Sequence, residues 1–105
     1  MKPVVLVVDD ERTIAEGLRL ILESEGYVVE TAVSTAGAAA CLDGRDFSVA
    51  LVDLVLPDGD GIGLLRLLKS HDPDMEVIIM TGHGSISKAV EATKEGAFYF
   101  VTKPF

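Results

Sequence analysis

Basic side chains are scarce in this chain. Nine Lys and Arg face 17 Asp and Glu, a formal net charge of −8. Direct contact with nucleic acid needs a basic footprint, and so does adhesion to an anionic membrane surface; neither is expected. Cysteine is nearly absent. Cys41 stands alone in an alanine-rich segment, which excludes an internal disulfide and suits a small core residue in a reducing cytosol. Long apolar runs are missing too. No stretch approaches a membrane span, and Met1-Lys2-Pro3 leads straight into a run too short for a signal peptide. The expectation is a cytoplasmic chain, neither secreted nor membrane-inserted. Linkers, repeats and low-complexity tracts are also lacking, so the 105 residues read as one domain.

What is present is a regular alternation of strand and helix signals. Val4 to Val8 is a continuous, largely β-branched run, the pattern of a strand buried on both faces. From Thr13 to Glu25, Ile14, Leu18, Ile21 and Leu22 recur at helical spacing, and Gly26 is the stop. Tyr27 to Thr31 alternates more and suits a sheet edge. Ser34 caps a second helix through about Leu42, with Gly44 after it. Phe47 to Val52 is a second apolar strand, and Pro57 to Gly61 is a loop by composition. Ile62, Leu64, Leu65, Leu67 and Leu68 make a leucine-rich helix ending near His71. Glu76 to Met80 is another strand, Ser85 caps a helix that Gly96 ends, and Phe98 to Val101 is the fifth strand.

Strand–helix alternation predicts an α/β fold, a doubly wound five-stranded parallel sheet with right-handed crossovers. Helices must then cover both faces, yet the signals supply one helix fewer than strands. A fifth helix is expected beyond Phe105, so the chain reads as a domain truncated before its last helix. An apolar patch near strands one and five would then be exposed or covered by another chain.

The ends of the apolar runs carry the chemistry. After them come Asp9-Asp10, Asp53, Thr81 and Thr102-Lys103-Pro104. On neighbouring parallel strands these residues meet at one sheet edge, the edge where open α/β sheets bind ligands. Three carboxylates there repel one another unless a cation sits among them, and a hard divalent ion such as Mg²⁺ suits oxygen ligands. Lys103 offers an ammonium to pair with Asp53 or to hold a phosphoryl oxygen. Asp58 and Asp60 lie in the Pro57 to Gly61 turn. Asp60 is expected to cap the leucine-rich helix and Asp58 to be solvated rather than a metal ligand.

Four segments together resemble the response-regulator receiver domain of bacterial two-component signalling: V-V-D-D-E, V-D-L-V-L-P-D-G-D-G, I-I-M-T-G-H-G and G-A-F-Y-F-V-T-K-P-F. The resemblance covers residues 1–105. The last two segments are most similar to receivers of nitrogen-regulator-type, sigma-54-dependent transcriptional activators. It implies the flavodoxin-like strand order 2-1-3-4-5 and an Asp53 that accepts a phosphoryl group from a sensor histidine kinase. It also implies Mg²⁺ (or Mn²⁺) held by Asp10, Asp53 and the Val55 carbonyl, with Asp9 acting through water. Lys103 would contact the phosphoryl oxygens, Thr81 would hydrogen-bond the arriving group, and Phe100 would hold the aromatic switch position. The Lys103-Pro104 bond would be cis. The output would be a domain in cis, an AAA-type ATPase with a DNA-binding domain, and the receiver could form a homodimer. Phe100 lacks the hydroxyl that tyrosine would bring there, so a partner reading such a hydroxyl is not expected. His83 lies near the mouth of the site, where it could modulate water access; His71 reads as surface.

Two other functions fit parts of the pattern. A haloacid-dehalogenase-type phosphatase also uses a strand-end aspartate with Mg²⁺, but needs an acid two residues on from a first-strand nucleophile. Asp9 is followed at that distance by Glu11, and 105 residues leave little room for a substrate cap. A receiver-like module that is never phosphorylated would be marked by loss of a site residue, and none is lost.

Overall fold

The computed structural model describes residues 3–82 and 86–103. Five strands form one parallel sheet: β1 (Val4–Val8), β2 (Val28–Ala32), β3 (Val49–Asp53), β4 (Glu76–Thr81) and β5 (Tyr99–Thr102). Their spatial order is β2-β1-β3-β4-β5. Four helices connect them among the described residues: α1 (Arg12–Ser24), α2 (Thr35–Cys41), α3 (Gly61–His71) and α4 (Ile86–Lys94). This is the expected order. It places the topological switch between β1 and β3, where the chain winds away in opposite directions.

The helix ends obey local chemistry. After α1, Gly26 adopts φ 95°. Its N–H donates to the Glu23 carbonyl at 3.0 Å, and the Tyr27 N–H to the Leu22 carbonyl at 3.1 Å. These paired bonds close the helix around a left-handed residue, which costs glycine little. α4 ends the same way at Gly96. Ser34 caps α2, its Oγ accepting from the Gly37 N–H at 3.0 Å, and Asp60 caps α3 by accepting from the Gly63 N–H at 2.8 Å. The proposed Ser85 cap, His83 and the Lys103-Pro104 bond lie outside the described residues.

Apolar side chains alternate across the sheet because successive strand residues face opposite ways. One face carries Leu6, Val8, Ala50, Val52, Val77 and Ile79 beneath α2, α3 and α4, with Leu64, Leu65 and Leu68 fully buried. The other carries Val5, Val7 and Val29 beneath Ala15, Leu18 and Leu22 of α1. Strand one is therefore well covered. The less covered area lies over β3 to β5, where Leu51, Ile78 and Tyr99 stand in register and Tyr99 is 60% exposed.

Strand boundaries shift by one or two residues. Phe47 is buried but precedes β3, and Phe98 is exposed before β5 begins. The Pro57 to Gly61 segment is more ordered than a loop: Val55–Leu56 and Gly59–Asp60 form a two-residue antiparallel ladder.

Candidate functional site

The carboxyl ends of β1, β3 and β5 converge. Asp9, Asp10 and Asp53 offer carboxylate oxygens that all lie within 4.8 Å of one another. Asp9 is fully buried, Asp53 is 7% exposed and Asp10 faces solvent. From the other end of the chain, Lys103 Nζ donates to Asp9 Oδ2 at 2.8 Å and to Asp53 Oδ2 at 3.1 Å. Glu11 Oε1 stands 3.9 Å from the same nitrogen. The expected Lys103–Asp53 pair is thus one limb of a triad, and its shorter limb goes to Asp9.

Each acid is held differently. Asp9 Oδ1 accepts the Glu11 backbone N–H at 2.9 Å, so both of its oxygens have partners. Asp53 Oδ1 has only a long contact from the Val55 N–H, at 3.4 Å. Asp53 thus keeps accepting capacity directed at the site. The haloacid-dehalogenase-type reading needs a free, reachable nucleophile at the end of strand one. Asp9 is sealed from solvent with both oxygens engaged and does not fit that role.

Burial raises the Asp53 carboxyl above its ordinary range, the hydrogen bond from Lys103 pulls it back, and the charge of Asp9 pushes it up again; the net direction is upward. For Lys103 burial acts downward, but the hydrogen bonds to Asp9 and Asp53 outweigh it and hold the ammonium above its usual value. One ammonium is shared by Asp9 and Asp53, with Asp10 a third carboxylate beside them, and the burial of the first two makes their repulsion costly. A divalent cation with oxygen ligands fits this charge deficit and donor set.

Thr81 closes the wall between β3 and β5. It is the last residue of β4, is fully buried, and pairs in register with Thr102. Its hydroxyl donates to the Gly82 carbonyl at 3.2 Å, and its own carbonyl accepts the Lys103 N–H at 2.7 Å. Phe100, half-buried, packs against the larger core, and its ring lies 6.0 Å from that of Tyr99, interplanar angle 25°. Val55 is the first residue after Leu54, whose N–H is fixed by the Met80 carbonyl at 2.9 Å. The Leu54 carbonyl in turn accepts the Gly61 N–H at 2.7 Å. Gly61 is required there, since a Cβ would stand 2.6 Å from the Asp53 carbonyl oxygen.

One residue was misjudged from sequence. Asp58 is exposed but not merely solvated: its carboxylate accepts the Thr35 and Ala36 N–H groups at the start of α2. These bonds hold its carboxyl below the usual range. No local signal could show this, because the partners are 22 and 23 positions away.

The chain is similar to known proteins over nearly its whole length. The chain is 42% identical over 99 residues to the transcriptional regulatory protein GlrR of Escherichia coli strain K12, covering 94% of this chain and 22% of GlrR. It is 40% identical over 103 residues to the nitrogen assimilation regulatory protein NtrX of Azorhizobium caulinodans, covering 96% of this chain and 23% of that protein. Among solved structures, NtrX from Brucella abortus superimposes with a TM-score of 0.94 at 36% identity, over 100% of this chain and 24% of that one. A CheY-like receiver domain protein from Methanospirillum hungatei also gives 0.94, at 34% identity, over 100% of this chain and 84% of that one. The chain spans between about a fifth and about half of the length of the curated relatives it matches. The model of the response regulator receiver domain matches residues 5–105, nearly the whole chain, with the acidic cluster and Lys103 inside the match. This chain therefore belongs to the response regulator receiver domain family.

Proposed function

We propose that this receiver accepts a phosphoryl group on Asp53 from a phosphohistidine of a sensor histidine kinase and thereby switches an output domain. The observation that carries the reading is the Lys103 ammonium donating to Asp53 Oδ2 at 3.1 Å, beside the carboxylates of Asp9 and Asp10. An Asp53 oxygen attacks phosphorus, the P–N bond breaks, and the imidazole nitrogen keeps the electron pair. Phosphoryl transfer needs in-line placement and neutralisation of the equatorial oxygens. Lys103 supplies one fixed positive charge for that purpose. Its bond to Asp9 holds the ammonium in place while Asp53 changes from carboxylate to acyl phosphate.

Asp10, Asp53 and the Val55 carbonyl would hold Mg²⁺ or Mn²⁺, with Asp9, whose oxygens are engaged, acting through water. Bound there, the cation supplies Lewis-acid neutralisation of phosphoryl charge. The Thr81 hydroxyl, now given to Gly82, would turn to a phosphoryl oxygen. Phe100 would move into the space it leaves, altering the surface of α4 and β5. The acyl phosphate is intrinsically labile, so the signal limits itself. The output is a transcription-regulating domain in cis, an AAA-type ATPase with a DNA-binding domain. Support comes from relatives named as transcriptional regulatory proteins, of which this chain matches about a fifth. The residues form a signalling site; the chain's own chemistry is confined to gain and loss of its phosphoryl group.

Intact-mass analysis after treatment with acetyl phosphate, with and without Mg²⁺, tests the reading. A single Mg²⁺-dependent adduct is expected on the parent chain and none on Asp53→Ala. An adduct that persists in Asp53→Ala would place the acceptor elsewhere.

A further inference from the structure

The turn after the phosphoacceptor strand is fastened at its tip to another part of the fold. Asp58 stands between the two arms of the Val55–Leu56 and Gly59–Asp60 ladder. Its Oδ1 accepts the Thr35 N–H at 2.8 Å and its Oδ2 the Ala36 N–H at 3.0 Å. Thr35 and Ala36 open α2, where N–H groups have no partner within the helix. Ser34 takes the next one, from Gly37. Two side chains from different segments thus share one helix cap. The anchor is firm, because Ala38 of α2 is fully buried in the larger core.

The base of the same turn reaches the site. The Val55 N–H contacts Asp53 Oδ1 at 3.4 Å, and the Gly61 N–H donates to the Leu54 carbonyl at 2.7 Å. The four-residue ladder is too short to be ordered by its own pairing. Its tip therefore needs an outside hold, and a carboxylate accepting two backbone N–H groups is a strong one.

We propose that Asp58 is a positioning residue: by clamping the tip of the turn to the start of α2, it presets the Val55 backbone, and through it Asp53, for cation binding. The proposal rests on the reading of Asp53 and its neighbours as a cation-assisted phosphoacceptor site. A turn already ordered has met its entropy cost before the cation arrives.

The test is calorimetric Mg²⁺ titration of the parent chain, Asp58→Ala, Asp58→Asn, Thr35→Pro and the double variant Asp58→Ala/Thr35→Pro. Thr35→Pro deletes one backbone donor, and the Thr35 hydroxyl with it, without changing charge. Proline is tolerated at a first helical position, and Ser34 before it is extended, as a residue preceding proline prefers. Asp58→Ala is expected to weaken Mg²⁺ binding about fivefold, the effect of losing roughly one net hydrogen bond. Thr35→Pro should reproduce part of that loss, and the double variant should bind as Asp58→Ala does, since both act through one contact. Asp58→Asn, keeping one acceptor oxygen, should fall between parent and alanine.

The half-saturating Mg²⁺ for acetyl-phosphate labelling should shift by the same factors while the rate at saturating Mg²⁺ is unchanged. A loss of general stability would not give that split. Unchanged Mg²⁺ affinity in folded Asp58→Ala overturns the proposal. So does a loss in Asp58→Ala that Asp58→Asn matches in full and Thr35→Pro lacks, which would reveal only the field of an exposed charge. Should Thr35→Pro fail to fold by circular dichroism, the asparagine comparison decides. A parent chain that binds Mg²⁺ without being labelled overturns the phosphoacceptor reading and leaves the clamp intact. One that binds no Mg²⁺ overturns both.

Discussion

Lys103 Nζ lies closer to Asp9 Oδ2, at 2.8 Å, than to Asp53 Oδ2, at 3.1 Å, although 94 positions separate the first pair and 50 the second. The lysine is therefore held by a residue other than the proposed acceptor. That leaves the ammonium in place throughout the chemistry proposed for Asp53.

Replacing Lys103 by methionine removes the shared cation and leaves Asp9 and Asp53 facing each other out of water. Breaking such a pair costs about 3 kcal/mol, the low end for buried ion pairs because the lysine is 15% exposed. Urea unfolding without divalent cation should show that loss. Mg²⁺ should restore much of it, and Mg²⁺ affinity should rise because a competing positive charge has gone. Weaker Mg²⁺ binding in Lys103→Met would contradict this electrostatic account. Labelling by acetyl phosphate should fall sharply, since the residue proposed to face the phosphoryl oxygens is lost.

Asp53→Asn should stabilise the cation-free chain. Burial and the charge of Asp9 raise the Asp53 carboxyl in the fold, so its ionised form is a cost to the native state. That cost is fully present above the folded pKa. It vanishes below the ordinary value of 3.8, where Asp53 is protonated in both states. The stability gap between Asp53→Asn and parent should hence be open at neutral pH, close as pH falls through the raised folded value, and be gone below 3.8. Thermal melts across pH read it, and a gap that widens on acidification would reverse the sign.

Gly61→Ala tests the packing behind the acceptor. The new Cβ would meet two backbone atoms, the Asp53 carbonyl oxygen at 2.6 Å and Leu54 Cα at 2.9 Å, neither of which can rotate away. Overpacking of this kind costs about 1–3 kcal/mol. The displaced strand end should also slow phosphoryl labelling in chains that circular dichroism shows to be folded.

Ser34→Ala removes the other half of the α2 cap. Loss of an N-cap hydroxyl costs about 1 kcal/mol. Combined with Asp58→Ala the losses should not add simply, because both side chains serve the same helix end. Chemical denaturation of the single and double variants gives the coupling energy.

Much of this molecule is local. The Val4 to Val8 run is apolar at every position, and a run that must be buried on both faces has little choice but a central parallel strand. Gly26 and Gly96 stop their helices because the left-handed turn there suits a residue without Cβ. Asp60 caps α3 across three positions, within reach of any reader of the sequence. Asp9, Asp10, Asp53, Thr81 and Lys103 could be placed at one edge from the sequence because strand ends of a parallel sheet share it, so one-dimensional order already implies three-dimensional proximity.

Contacts between segments were not legible. The division of Lys103 between Asp9 and Asp53 depends on side-chain reach and on which carboxylate is more deeply buried, and neither has a signature in residue spacing. Asp58 looked like any acid in a turn. Its bond to α2 exists because the core, which buries Ala38 of α2 and Leu64 of α3, places two loops side by side. Periodicity, caps and stops are written within a few residues, so the sequence alone determined the five strands and four helices, their succession along the chain and the edge that gathers the strand-end residues. Distances between elements follow from how the whole core packs, so only the tertiary structure decided which charges pair and which turn is clamped.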